Sequence, residues 1–290
     1  MNKGVLIGLS SYVLWGILPM YWKQLLAVQP YEILANRIYL SLIFVGLLFL
    51  CTGRGGELRS ELQRVWQDKR LLLTMMASGA VVTMNWGIYI WAVNNGHIMD
   101  SSLGYYINPL INVCFGVVLF GERLSKLTWV AVGCAVLGVC LMIVRMGIFP
   151  WIALAIATTF AVYGVLKKKV KIGVQAGLFI ETLAVTPLAL AYVYYRSTLG
   201  LAAYQTADAL SLGILATTGI ITATPLMMFA YAAKNIPLST LGFLQYASPT
   251  ISLLLGIFVY GENFTLEHLY CFGVIWVGLL LFTYDQVIRK

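Results

Sequence analysis

The chain has 290 residues, of which 60% are hydrophobic and only 10% charged, with a net charge of +8. Soluble domains carry about 25% charged and 45–50% apolar residues, and the mean hydropathy of +0.86 points the same way. A soluble enzyme, a disordered chain and a nucleic-acid-binding module are poor readings of such a composition, which is that of an integral membrane protein.

A crossing needs about 20 apolar residues, so the length accommodates ten spans joined by short connections. Apolar runs broken by charge, Pro/Gly clusters or Asn-rich turns place them at 4–25, 33–52, 71–93, 101–120, 127–145, 148–167, 176–195, 209–231, 239–260 and 268–287. The weakest division separates the fifth from the sixth, where Arg145, Gly147 and Pro150 supply the break. The first run, after Lys3, reaches about Leu26 without an A-x-A-like cleavage site and reads as a retained helix. The cysteines Cys51, Cys114, Cys134, Cys140 and Cys271 have no metal-ligand spacing and read as buried, inert thiols.

Charge orients the spans. With a cytoplasmic N-terminus, fifteen basic residues fall on the cytoplasmic side: Lys3, Arg54, Arg59, Arg64, Lys69, Arg70, Arg123, Lys126, Lys167, Lys168, Lys169, Lys171, Lys234, Arg289 and Lys290. Three, Lys23, Arg145 and Arg196, fall outside, and Arg37 lies within a span. This is the bias expected when ten spans are correctly divided and both termini are cytoplasmic.

The chain also repeats itself at a spacing of about 140 residues. Tyr106…Pro109…Ile111…Gly116…Gly121-Glu122…Gly133…Gly138 matches Tyr246…Pro249…Ile251…Gly256…Gly261-Glu262…Gly273…Gly278 without a gap. Trp15-Gly16 and Tyr163-Gly164 form a looser match in the first helices. The expected fold is therefore all-α, with ten transmembrane helices in two five-helix repeats, 1–145 and 146–290. An odd number of spans per repeat makes the halves inverted. Inverted repeats around a midplane site are a recurring plan of secondary transporters.

These features resemble the drug/metabolite transporter superfamily, EamA type. The local sequences Trp91-Ala92-Val93-Asn94-Asn95, Ser102 to Leu110, Leu238 to Tyr246 with Pro249-Thr250, and Tyr260-Gly261-Glu262 resemble its RarD subfamily over essentially the whole chain. The resemblance implies a permease of the bacterial inner membrane, an exporter of small organic metabolites or drugs, in a family named for an effect on chloramphenicol sensitivity. It does not supply the substrate.

Charges inside a bilayer are expensive and mark function. Arg37 lies about five residues into the second span, roughly 7 Å deep, where it is expected to hold a substrate carboxylate or to gate the mouth against Glu32 or Glu262; the bland alternative is snorkelling. Glu181 sits at comparable depth in the seventh span from the other face. It is the candidate for a coupling proton, or else a salt-bridge partner of the Lys167–Lys171 cluster. Glu122 and Glu262 are expected to end helices and tie loops.

Polar and aromatic groups at mid-membrane complete the expected substrate-binding set: Trp15, Asn85, Tyr89, Tyr105, Tyr106, Asn108, Tyr163, Gln245 and Tyr246, with Asn112, Ser248 and Ser252 nearby. Asn85 and Tyr89 share a helix face, and Trp86 points elsewhere. As a set they are expected to line a cavity; singly, each reads as interhelical hydrogen bonding or interfacial anchoring. Pro109 and Pro249 are the expected hinges, with Pro19 and Pro225 in similar settings. The paired glycines Gly133/Gly138 and Gly273/Gly278 are expected to permit close helix packing.

The expected partners are a small-molecule substrate, a coupling proton and membrane lipids, with no nucleic acid and no cofactor. A membrane-embedded enzyme and a channel-like facilitator are the alternatives. His97 and His268 come without a metal or nucleophile motif, and no phosphate-cradling loop supports ATP-driven transport. The inverted repeat favours alternating access over a channel.

Overall fold

The computed structural model describes residues 2–95, 97–146, 149–260 and 266–288, and every regular element among them is helical. In chain order these are α1 (Lys3–Trp22) with a 3-10 turn (Lys23–Leu25), α2 (Pro30–Cys51), α3 (Gly55–Gln67), α4 (Lys69–Asn94), α5 (Ile98–Phe120), α6 (Lys126–Met146) and α7 (Trp151–Lys169). Then follow α8 (Val174–Thr198), α9 (Ala203–Thr206), α10 (Ala209–Asn235), α11 (Leu238–Gln245), α12 (Ala247–Phe258) and α13 (Leu266–Ile288).

Seven segments among the described residues are long and apolar enough to cross a membrane: Lys3–Leu25, Pro30–Cys51, Lys69–Ala92, Leu103–Phe120, Trp151–Lys169, Val174–Thr206 and Ala209–Asn235. Shorter apolar stretches, Lys126–Leu141 and Gly273–Asp285, lie in α6 and α13. The outward faces are as apolar as the inward ones. Leu50, Val118, Val144, Leu188 and Phe258 are each 71–80% exposed. Helices apolar on all sides belong in lipid, and the chain is a multi-pass membrane protein. Cys51, Cys114 and Cys140 are exposed on this surface rather than buried; a thiol is apolar enough to face acyl chains. The side chains of Cys271, His268 and Arg145 lie outside the described residues.

Two elements depart from the expected spans. Residues between the second and third spans were expected to form a short connection, yet they fold as α3. Its apolar residues Leu58, Leu62 and Val65 fall on one helical face and pack against the core, while Arg59, Ser60 and Arg64 stay at the surface. Arg54, donating to Glu57 from Nε at 2.8 Å, fastens the helix start and holds the Glu57 carboxyl below its ordinary range. The expected ninth span, 239–260, is divided into α11 and α12, which meet at Tyr246. Pro249 has no N–H to offer the carbonyl four residues back, and its place in the first turn of α12 is one that tolerates proline. Its counterpart Pro109 sits inside a continuous α5.

The helices pack in related pairs. α5 lies on α7, as α11 and α12 lie on α1; α4 lies on α7, as α10 lies on α1; α2 lies on α10, as α8 lies on α4. The remaining large contacts, α2 with α8, α6 with α13 and α5 with α11, join counterparts directly. Exchanging each helix for its counterpart in the other half turns this pattern into itself.

Close approach depends on a few glycines. A Cβ on Gly219 would collide with the backbone carbonyl of Leu40, where α10 crosses α2. Gly219→Ala must push the helices apart, and overpacking of this kind costs about 1–3 kcal/mol. A lowered thermal midpoint of the purified variant checks this. Of the expected packing glycines, Gly278 does abut α6 at Ala131, but Gly133 and Gly273 face open space and do not serve as such contacts.

Candidate functional site

One end of the bundle gathers the start of α1, α3, the end of α5 and the lysines that close α7; this is the lysine-rich end. Between it and the opposite end, the expected site residues separate into three groups.

The first group surrounds Arg37, the eighth residue of α2 from the opposite end. Its guanidinium lies between two indoles, 4.8 Å from the centroid of Trp22 and 4.5 Å from that of Trp86. Its Nε donates to Thr222 Oγ1 of α10 at 2.9 Å. No carboxylate among the described residues pairs with it. Glu32, the expected partner, is instead held by Arg196 Nε at 3.4 Å and the backbone N–H of Ala203. Glu262 and Gly261 lie outside the described residues. Arg37 is only partly exposed, and it does not snorkel: the indole faces hold it inside the bundle by cation–π attraction, stronger where water is scarce. Tyr89 and Tyr105 stand close by, their rings 5.8 Å apart and each 37% exposed. Tyr21, bonded to Thr217 at 2.8 Å, adds a further hydroxyl. Trp86, set apart from the Asn85 face and not counted among the expected site residues, is thus one of the two indoles against Arg37. Trp22 was missed as well; its place near the end of a span reads as an interfacial anchor.

The second group is a buried polar seam where α5 crosses α11. Asn112 Nδ2 donates to Asn108 Oδ1 at 2.9 Å and to Gln245 Oε1 at 3.3 Å, and Asn108 donates to the carbonyl of Ala157 on α7. Tyr246 OH donates to the carbonyl of Tyr106 at 3.2 Å. Asn85 belongs to the same kind of contact, donating to Ile156 O at 2.7 Å and to Thr159 at 2.9 Å. Asn85, Tyr106, Asn108, Asn112, Gln245 and Tyr246 are all buried. Asn108, Tyr106, Gln245, Tyr246 and Asn85 hold helices together in this state, so the expected single cavity lined by the whole set is not what the structure contains.

The third group closes the lysine-rich end. Tyr12, Trp15, Phe160, Tyr163 and Phe229 form an aromatic cluster, with Tyr163 stacked on Phe229 at 5.7 Å and Trp15 edge-on to Phe160 at 5.8 Å. Tyr12 and Tyr163 are completely buried. Below the cluster, Glu181 of α8 is fully partnered. Lys167 Nζ donates to its Oε2 at 2.7 Å, Ser78 Oγ to its Oε1 at 2.6 Å, and Tyr163 OH to Oε2 at 3.4 Å. Of the two expectations for Glu181, the salt bridge to the Lys167–Lys171 cluster is present, through Lys167, and packing adds the Ser78 donor from α4 that adjacent residues do not reveal. Glu181 is the eighth residue of α8, as Arg37 is of α2.

Glu122 supplies a last tie. After Gly121 turns the chain at φ 64°, the Glu122 carboxylate accepts from the backbone N–H groups of Leu238 at 2.6 Å and Ser239 at 2.9 Å, and from Ser239 Oγ at 2.7 Å. It thus caps the N-terminus of α11, where a helix end favours an anion. Lys168 approaches the same carboxylate at 3.6 Å and donates to Ile236 O at 2.7 Å. Among the described residues no group of His, Cys, Asp and Glu has the arrangement of a metal site.

The helical membrane bundle thus packs an aromatic cluster and an ion pair towards one end and holds a cation between two indoles towards the other. The family model for the EamA-like transporter family matches residues 2–144 and again 148–284. An uncharacterized transporter of Vibrio cholerae is 41% identical, covering 98% of this chain and 93% of the relative. Protein RarD of Streptomyces exfoliatus is 40% identical, covering 99% of this chain and 90% of that protein. A crystal structure with 20% sequence identity superposes with a TM-score of 0.76 over 99% of each chain, a likeness of fold. This chain belongs to the EamA-like transporter family.

Proposed function

We propose that the chain is a secondary active transporter that exports small organic anions or zwitterions across the bacterial inner membrane. In this reading ten spans form two inverted five-helix repeats, 1–145 and 146–290, with both termini and the lysine-rich end in the cytoplasm. The observation that carries it is the asymmetry between the two ends of one pseudo-symmetric bundle. Arg37 and its aromatic neighbours stand partly accessible on the outer side, while the aromatic cluster, the Lys167–Glu181 pair and the Glu122 cap shut the inner side. Exchanging the packing of the two halves would open the inner side and close the outer, which is alternating access. Pro109 and Pro249 are the hinges, the second lying beside the junction of α11 and α12 at Tyr246. Glu181 is the proton-coupling residue, since protonating it removes the charge that Lys167 answers.

The reading is tested in liposomes. Purified protein preloaded with a panel of amino acids and small carboxylates should show counterflow of at least one of them, and metabolite profiling of overexpressing against deletion cells should find the same compound outside. Absence of counterflow across the panel, with no external metabolite changed, would remove the reading. Topology has its own test in a cysteine-free background. Cysteines at Asn95 and Asp100 should react with an impermeant thiol reagent on intact cells, and those at Gln63 and Lys169 only after permeabilisation. External labelling at Lys169 would overturn the inverted repeat.

A further inference from the structure

The lysine run that closes α7 divides its work. Lys167 turns inward to Glu181 and Lys168 to Glu122, whereas Lys169 and Lys171 remain exposed. Across from them, at the α3–α4 junction, stand Arg64 and Arg70, and the four cations line one cleft of about 410 Å³. Its two walls are joined by Arg64 Nη1 donating to the carbonyl of Lys171 at 3.0 Å. The acid in the lining, Asp68, is already engaged: its Oδ1 accepts from the backbone N–H groups of Arg70 at 2.9 Å and Leu71 at 3.1 Å. Arg70, Lys169 and Lys171 have no carboxylate partner among the described residues, and Arg64 reaches Glu61 only at 3.7 Å.

A cleft with four cations and one capped acid calls for a phosphate-bearing anion. Its deeper wall is apolar, formed by Leu71, Leu166 and Val170, and Trp66 of α3 lies 78% exposed nearby in sequence. Indoles of this kind sit at headgroup level, and a soluble phosphate has no use for an apolar wall. We propose that this cleft binds the headgroup of an anionic phospholipid, its phosphodiester among Arg70, Lys169 and Lys171 and its glycerol and first acyl carbons along Leu166 and Val170. Basic pockets between helices on the cytoplasmic side are suited to such headgroups. The proposal rests on the reading that this end faces the cytoplasm only for which leaflet supplies the lipid.

The test uses the full-length protein in detergent, where sidedness plays no part, so its failure is separable from a failure of the topology. Native mass spectrometry should show phosphatidylglycerol retained in preference to phosphatidylcholine. The R70Q/K169Q/K171Q variant should lose that retention by roughly fivefold per cation, about 100-fold in all. A K3Q/K126Q control, at the same end but outside the cleft, should retain the lipid as the parent does. Equal retention of both lipids, or equal loss in the control, would overturn the site. Displacement of phosphatidylglycerol by millimolar inorganic phosphate, with phosphate alone raising the thermal midpoint equally, would overturn the lipid assignment in favour of a soluble anion.

Discussion

Lys167→Met will destabilise the protein by about 3–5 kcal/mol, the cost of leaving one member of a buried ion pair without its partner. The Glu181 carboxylate is 2% exposed in the pair and Lys167 5%. Without the ammonium, only Ser78 and Tyr163 remain to answer the charge. Glu181→Gln alone should also destabilise, because it strands Lys167 instead. The double variant K167M/E181L exchanges both charges for apolar groups, and well-packed replacements of this kind are often neutral. It should recover most of the loss, read as the thermal midpoint of purified protein, and so separate stability from transport. If Glu181 carries the coupling proton, the recovered double variant will continue substrate counterflow but will no longer accumulate substrate in response to a pH gradient. Accumulation equal to the parent would return the pair to a purely structural tie.

Arg37→Gln will weaken binding of a carboxylate-bearing substrate by roughly 10- to 100-fold, the range of a charge-assisted hydrogen bond lost at a partly desolvated site. The guanidinium already has its Nε on Thr222 and its faces on Trp22 and Trp86, so its terminal nitrogens are the ones available to a ligand. Arg37→Lys should not restore binding, because an ammonium lacks the planar fork that both stacks between indoles and holds a carboxylate. The measurement is the concentration dependence of counterflow for an anionic substrate. A neutral analogue of the same shape should bind the parent and Arg37→Gln alike. Unchanged affinity for the anion in Arg37→Gln would exclude the residue from the site.

How much of this was written in the order of residues differs from one feature to the next. The seven described segments of membrane-crossing length could be read because lipid imposes one simple demand, about 20 apolar residues per crossing. α3 escaped that reading because an amphipathic helix at the surface has ordinary composition and shows itself only as a period, Leu58, Leu62 and Val65, too short to stand out. The break at Tyr246 escaped because Pro109 and Pro249 are equivalent in sequence but not in surroundings. A proline removes a hydrogen bond wherever it sits, and packing decides whether the helix bends there.

The intramembrane charges, too, could be found by sequence alone, since Arg37 and Glu181 stand out in apolar runs. Of their partners, only the lysine cluster could, and Lys167 supplies that contact. Trp22 and Trp86 are 64 residues apart and read as ordinary membrane tryptophans until α1, α2 and α4 come together around Arg37. Ser78 meets Glu181 from α4 in the same way. Composition and charge pattern determined that this chain lies in a membrane and which charges it keeps there, because solvation acts on each residue by itself. Which charge meets an opposite charge and which does not was decided only by the tertiary structure, because pairing depends on distances of a few ångströms between helices far apart in the chain.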